Sequence, residues 1–135
     1  MKILLLGATG RTGKQIIEEA LERGHSFSAI ARDPAKLEAY DISITKGTPY
    51  DYKTVEKAIS GCDAVINTLN VSRKSDNPWA ALRAPGDMIS QSAIHAIDAM
   101  EKTGIKRFVA LSTIGAGRSW KTSSRRWAGH AHCSW

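Results

Sequence analysis

The chain predicts an α/β domain, a doubly wound parallel sheet of five strands in the order 3-2-1-4-5. Two observations carry this. Strand-like runs alternate with helix-spaced segments from Lys2 to Leu111, which puts helices on both faces of a parallel sheet. The first run, Ile3-Leu4-Leu5-Leu6, enters the glycine turn Gly7-Ala8-Thr9-Gly10-Arg11-Thr12-Gly13, and a helix-spaced segment follows at once. Right-handed crossovers make 3-2-1-4-5 the simplest layout.

The elements follow in order. Lys2–Leu6 reads as the first strand. The first helix runs to about Arg23, with Ile16, Ile17, Ala20 and Leu21 on one face and Gly24 in the place of a C-terminal cap. Ser26–Ala31 is the second strand. Asp33-Pro34 opens a short helix through Leu37, with Asp33 as N-cap and Pro34 at the first helical position. Ile42–Thr45 alternates as the third strand. A helix from Lys53 to Ile59 ends at Gly61, and Asp63–Leu69 is the fourth strand. A polar stretch, residues 70 to 86, has the length of a lid or binding loop or of a plain surface loop. Met88, Ile89, Ala93, Ile94, Ile97 and Met100 then mark a long amphipathic helix capped by Gly104, and Arg107–Leu111 is the fifth strand.

Composition narrows the function. The 135 residues suffice for one modest core, and 42% hydrophobic content is that of a globular chain. No run is long enough to span a bilayer, and the amino-terminal apolar run is too short for a signal peptide. Two cysteines, Cys62 and Cys133, offer no disulfide framework, so a cytoplasmic location is expected. The net charge is +6, but Arg118, Lys121, Arg125 and Arg126 supply +4 of it, leaving +2 for the first 117 residues. The basic balance belongs largely to the tail and gives no reason to expect a nucleic-acid partner. His130, His132 and Cys133 lack a second cluster, so no metal site is expected.

The glycine turn is the candidate site. Backbone N–H groups at a helix N-terminus point at an anion, and the helix dipole favours negative charge there. Gly7 permits the tight turn off the strand, Gly10 has no side chain to block a diphosphate, and Gly13 lets the helix pack close.

With these residues in view, the chain resembles the atypical short-chain dehydrogenase/reductases. The similarity is to the NAD(P)H-binding group that includes NmrA-like proteins and the flavin/biliverdin reductase type. The resemblance covers about residues 1–117. It rests on Lys2 to Gly13, Ala31-Arg32-Asp33-Pro34-Ala35-Lys36-Leu37, Gly61-Cys62-Asp63-Ala64-Val65-Ile66 and Ile105 to Gly117. It implies a Rossmann-like fold in which Gly7, Thr9, Gly10, Arg11, Thr12 and Gly13 cradle the cofactor diphosphate. It also implies that Arg32 meets the adenosine ribose. An Asp or Glu there would accept from the 2′-hydroxyl of NAD, whereas Arg32, assisted by Lys36, can pair with a 2′-phosphate, so NADP(H) is favoured over NAD(H). Leu69 and Asn70 after the fourth strand, and Ser112 and Thr113 after the fifth, should line the nicotinamide side. Ser112 and Thr113 are the candidate catalytic hydroxyls.

Three departures from the family pattern stand out. Gly47 is followed by Thr48 rather than Asp, Asn70 stands where a Gly is common, and no Tyr-x-x-x-Lys pair exists. Residues 118–135 form a basic tail with three of the four tryptophans and no strand or helix period. The expectation is that this tail is non-native or disordered and that the domain stops after its fifth strand. That strand would then be an edge open to self-association, as in a homodimer. The leading reading is an NADPH-dependent reductase of a small organic acceptor: a flavin, quinone or carbonyl. The alternatives are a non-catalytic NADP(H) redox sensor and an inactive truncated fragment.

Overall fold

A computed structural model describes residues 1–70 and 87–111. Its elements are β1 (Lys2–Leu6), α1 (Arg11–Glu22), β2 (Ser26–Ala31), a 3₁₀ turn (Pro34–Leu37), β3 (Ser43–Lys46), α2 (Tyr52–Ile59), β4 (Ala64–Asn67), α3 (Met88–Thr103) and β5 (Phe108–Ala110). The sheet order is β3-β2-β1-β4-β5, and every pairing is parallel. The predicted 3-2-1-4-5 layout is thus the observed one.

The alternation of side chains along each strand divides the core in two. Leu4, Leu6, Ile30 and Val65 face α2 and α3, where they meet Val55, Ile59, Ala96 and Met100. Ile3, Leu5, Phe27 and Ala29 face the other way, against Ile17 of α1 and Leu37 of the 3₁₀ turn. Leu4, Leu5 and Leu6 are fully buried, and each such side chain contributes about 1.5–3 kcal/mol relative to exposure. This central strand, covered on both faces, holds the glycine turn at its carboxyl end.

Two sequence expectations are corrected. The apolar stripe expected on α3 does not all face the core. Ser92, Ala96, Ala99 and Met100 are buried, while Ile94 and Ile97 remain 48% and 44% exposed. The buried set follows the i, i+4, i+7, i+8 stripe, and its small residues let α3 seat closely against α2 and the sheet. Asp33 holds the N-cap position of the 3₁₀ turn, but its side chain makes no capping hydrogen bond. The Asp33 carboxylate lies 3.6 Å from Lys36 Nζ instead. Asp51 does cap α2, accepting from the Lys53 N–H at 3.3 Å and from Thr54 Oγ1 at 2.7 Å.

Candidate functional site

The β1–α1 turn is shaped by its glycines. Gly7 leaves the strand at φ +89°, a conformation costly for any residue with a Cβ. The Gly10 N–H donates to the Gly7 carbonyl at 3.0 Å and closes the turn, and the Lys14 N–H donates to Gly10 at 3.0 Å to begin α1. No side chain caps this helix start, and its first turn carries no acidic residue. The helix therefore presents its electropositive end and spare N–H groups outward. Thr9, Gly10, Arg11 and Thr12 are exposed around it, and Gly13 is buried beneath.

The fit to a diphosphate can be tested by asking what a methyl group would meet. At Gly7 an added Cβ would sit 2.8 Å from Thr68 Oγ1 and 3.1 Å from the Leu69 nitrogen. At Gly13 it would overlap the Gly7 carbonyl oxygen and sit 2.8 Å from Ala8 Cα. At Gly10 it would meet only the Gly7 carbonyl oxygen, at 3.2 Å. Gly7 and Gly13 are thus required by the protein's own packing. Gly10 is packed far less tightly, and its missing side chain leaves the helix end approachable.

One contributor escaped the sequence reading. Thr68 Oγ1 and the Thr68 N–H both donate to the Leu6 carbonyl at 2.9 Å, locking the end of β4 to the mouth of the glycine turn. Beside it, buried Asn67 accepts from the Leu69 N–H through Oδ1 at 3.0 Å. The available signal was two polar residues ending an otherwise apolar strand. Leu69 is half-buried and Asn70 exposed where β4 ends. Leu111 donates its N–H to the Asn67 carbonyl at 2.8 Å, so the end of β5 lies beside the same rim. Ser112, Thr113, the stretch 71–86 and the tail from 118 onward lie outside the described residues.

At the end of β2, Arg32 is exposed and has no polar partner among the described residues. Its neighbour Asp33 is matched by Lys36. Lys36 therefore faces a carboxylate of this chain before any ligand. The Gly47 N–H donates to the Ala31 carbonyl at 3.0 Å, which places the end of β3 next to Arg32.

Tyr50 donates to Asp87 Oδ2 at 3.2 Å, and this carboxylate pushes the phenol above its usual 10.0. Tyr40 donates to Glu18 at 2.6 Å and is raised for the same reason. Burial pushes the Cys62 thiol up as well, against a smaller pull from Lys2. Among the described residues no group of His, Cys, Asp and Glu could hold a metal ion, and no helix is long and apolar enough to cross a membrane.

A glycine turn at the carboxyl end of the central parallel strand, leading into an uncapped helix, defines a Rossmann-like nucleotide-binding domain. The profile of a family described as NAD(P)H-binding matches residues 7–133, and the chain belongs to that family. It is 29% identical over 119 residues to the photosystem II assembly factor Ycf39 of Synechocystis, covering 86% of this chain and 35% of that protein. It is 31% identical over 100 residues to the phenylcoumaran benzylic ether reductase TP7 of Nicotiana tabacum, covering 64% of this chain and 32% of the other. Among solved structures, a Rossmann-fold NAD(P)-binding family protein from Shigella flexneri superposes with a TM-score of 0.65. The identity is 23%, and the match covers 95% of this chain and 59% of the other. That likeness shows the fold. The chain spans about a third of the length of these two curated relatives.

Proposed function

We propose that the chain binds NADP(H) and serves as the cofactor domain of a reductase acting on a small organic acceptor, a flavin, quinone or carbonyl. The observation that carries this is the uncapped start of α1 over a turn whose glycines leave its backbone bare. Gly7, Thr9, Gly10, Arg11, Thr12 and Gly13 hold the diphosphate by backbone N–H groups and the helix dipole. Leu69 and Asn70 border the nicotinamide side, and in this proposal Ser112 and Thr113, which follow β5 in the sequence, hydrogen-bond the acceptor. When bound, the nicotinamide supplies or accepts the hydride. The protein orients the two partners and excludes water. The reductase relative supports this reading.

The preference for NADP over NAD rests on the end of β2. A carboxylate there would accept from a ribose hydroxyl and repel a 2′-phosphate. Arg32 is available, and the charge of Asp33 is offset by Lys36. Calorimetric titration with NADPH and NADH tests it. Arg32→Ala should weaken NADPH binding roughly ten- to a hundredfold and leave NADH unchanged. Equal losses for both cofactors would remove the assignment.

A second reading is a non-catalytic NADP(H) sensor, in keeping with the absence of a Tyr-x-x-x-Lys pair from these 135 residues. NADPH oxidation with a panel of quinones and flavins separates the two. Tight binding without turnover supports the sensor.

A further inference from the structure

A cation-rich concavity lies along the outer edge of the sheet, between β3 and α2. Its volume is about 560 Å³, within the range of small-molecule sites. Lys2, Lys46, Lys53 and Lys57 line it, and none of the described lining residues is acidic. Hydroxyl-bearing Ser43, Thr45 and Ser60 line it too. Ser28, where β2 borders it, is buried and donates to the Ala58 carbonyl at 2.8 Å, so this wall is fixed.

The charged side chains lining this groove are all cationic. Lys53 and Lys57 are spaced i, i+4 on α2 and so share a face, where like charges repel. The ion pairs among the described residues are Arg23–Glu19, Lys36–Asp33 and Lys102–Glu56, and none includes the groove lysines. The nearby carboxylates make their hydrogen bonds outside the groove, although Asp51 also attracts Lys53 through space. Asp63 accepts from the Lys2 backbone N–H at 2.7 Å, and Asp51 is held by its capping bonds to Lys53 N–H and Thr54 Oγ1. Among the described residues, Lys2 Nζ donates to the Ser60 carbonyl alone, at 3.4 Å. A lysine on an edge strand commonly guards against strand pairing, which would account for Lys46. It does not account for Lys53 and Lys57, which are on a helix.

The geometry points to a binding site for a compact oligophosphate, a small molecule carrying two or more phosphate groups, held between β3 and α2. Lysine ammonium groups serve phosphate as point charges, and hydroxyls add directional donors. The cavity is sized for a small ligand, and Lys2 and Lys53 approach it from different elements. This inference stands apart from the cofactor reading, which uses the glycine turn at the end of β1.

The test titrates inorganic tripolyphosphate into the protein by calorimetry at 150 mM salt, with and without saturating NADPH. Wild type and the Lys53→Gln/Lys57→Gln double variant are compared. Both side chains are exposed, and their loss relieves repulsion, so the variant should fold as well as wild type. The expected result is saturable one-site binding that NADPH leaves unchanged and that weakens at least tenfold in the variant. Tripolyphosphate should also raise the Tm of wild type and not that of the variant. No saturable binding, or equal binding by the variant, overturns the proposal. Displacement by NADPH overturns it too, because the ion would then occupy the dinucleotide site. Preferential binding of single-stranded RNA through the same lysines would overturn the small-molecule class. A protein that ignores NADPH yet binds tripolyphosphate would sink the cofactor reading and leave this one standing.

Discussion

Gly10 and Gly13 belong to one turn, yet a methyl group added at each should fail in a different way. At Gly13 the new Cβ would overlap the Gly7 carbonyl oxygen and lie 2.8 Å from Ala8 Cα and 3.0 Å from the Ala8 carbonyl carbon. These are backbone atoms, so the helix or the turn must shift. Overpacking of this kind costs about 1–3 kcal/mol, and the better helix propensity of Ala returns up to about 1 kcal/mol. Gly13→Ala should therefore lose roughly 1–2 kcal/mol, several degrees in Tm for a domain of this size. At Gly10 the backbone angles are φ −77° and ψ 165°, which alanine adopts freely. Alanine is a poorer N-cap but restricts the unfolded chain, so the two effects offset to within about 0.5 kcal/mol. On the proposed cofactor reading, its methyl stands at the helix end that the diphosphate would cross. Gly10→Ala should keep the wild-type melting curve and bind NADPH at least tenfold more weakly, about 1.4 kcal/mol. Thermal melts and calorimetry on both variants decide the matter. A Gly10→Ala protein with undiminished NADPH affinity would show that the cofactor does not pass over this backbone. A Gly13→Ala protein as stable as wild type would show that the helix is not seated as described.

Three further outcomes are expected. Thr68→Val removes the hydroxyl bond to Leu6 but leaves that carbonyl its Thr68 N–H, so urea denaturation should show a loss of about 1 kcal/mol. Ser92→Ala should raise stability by roughly 1 kcal/mol in the same assay, because the Ser92 hydroxyl is fully buried and has no hydrogen-bond partner among the described residues; a destabilised variant would reveal a partner. Asp51→Ala should lower the Tm at pH 7 by removing the α2 cap. The folded Asp51 pKa lies below its usual 3.8, chiefly through the Thr54 hydroxyl, so its contribution is present above that pH and fades as pH falls through the folded value. The Tm gap between wild type and Asp51→Ala should accordingly close in acid, and a gap that persists would remove the capping role.

How much of this was legible from residue order depends on the range of each interaction. All five strands and their order follow from local alternation together with the handedness of crossovers. Strand ends were less accessible: the fourth strand reads as Asp63–Leu69, but pairing with β1 and β5 closes it to Ala64–Asn67. The glycine turn could be read because its three glycines fall within seven consecutive residues. Thr68 could not, since it joins that turn from 62 residues beyond Leu6, and only the parallel register of β1 and β4 brings them together. The same holds for Lys2, Lys46 and Lys53, scattered in the chain and gathered along one edge by β1, β3 and α2.

The sequence by itself determined the architecture and the bare-backbone helix start, because both arise from periodicity and glycine chemistry within a dozen residues. Tertiary structure alone decided which face of α3 is buried. Isoleucine spacing marks more than one stripe, and close seating against α2 and the sheet selects the one lined by Ala96 and Ala99. It also decided that Asp33 pairs with Lys36 and that four separate lysines share one groove, since long-range proximity is set by strand register and helix packing.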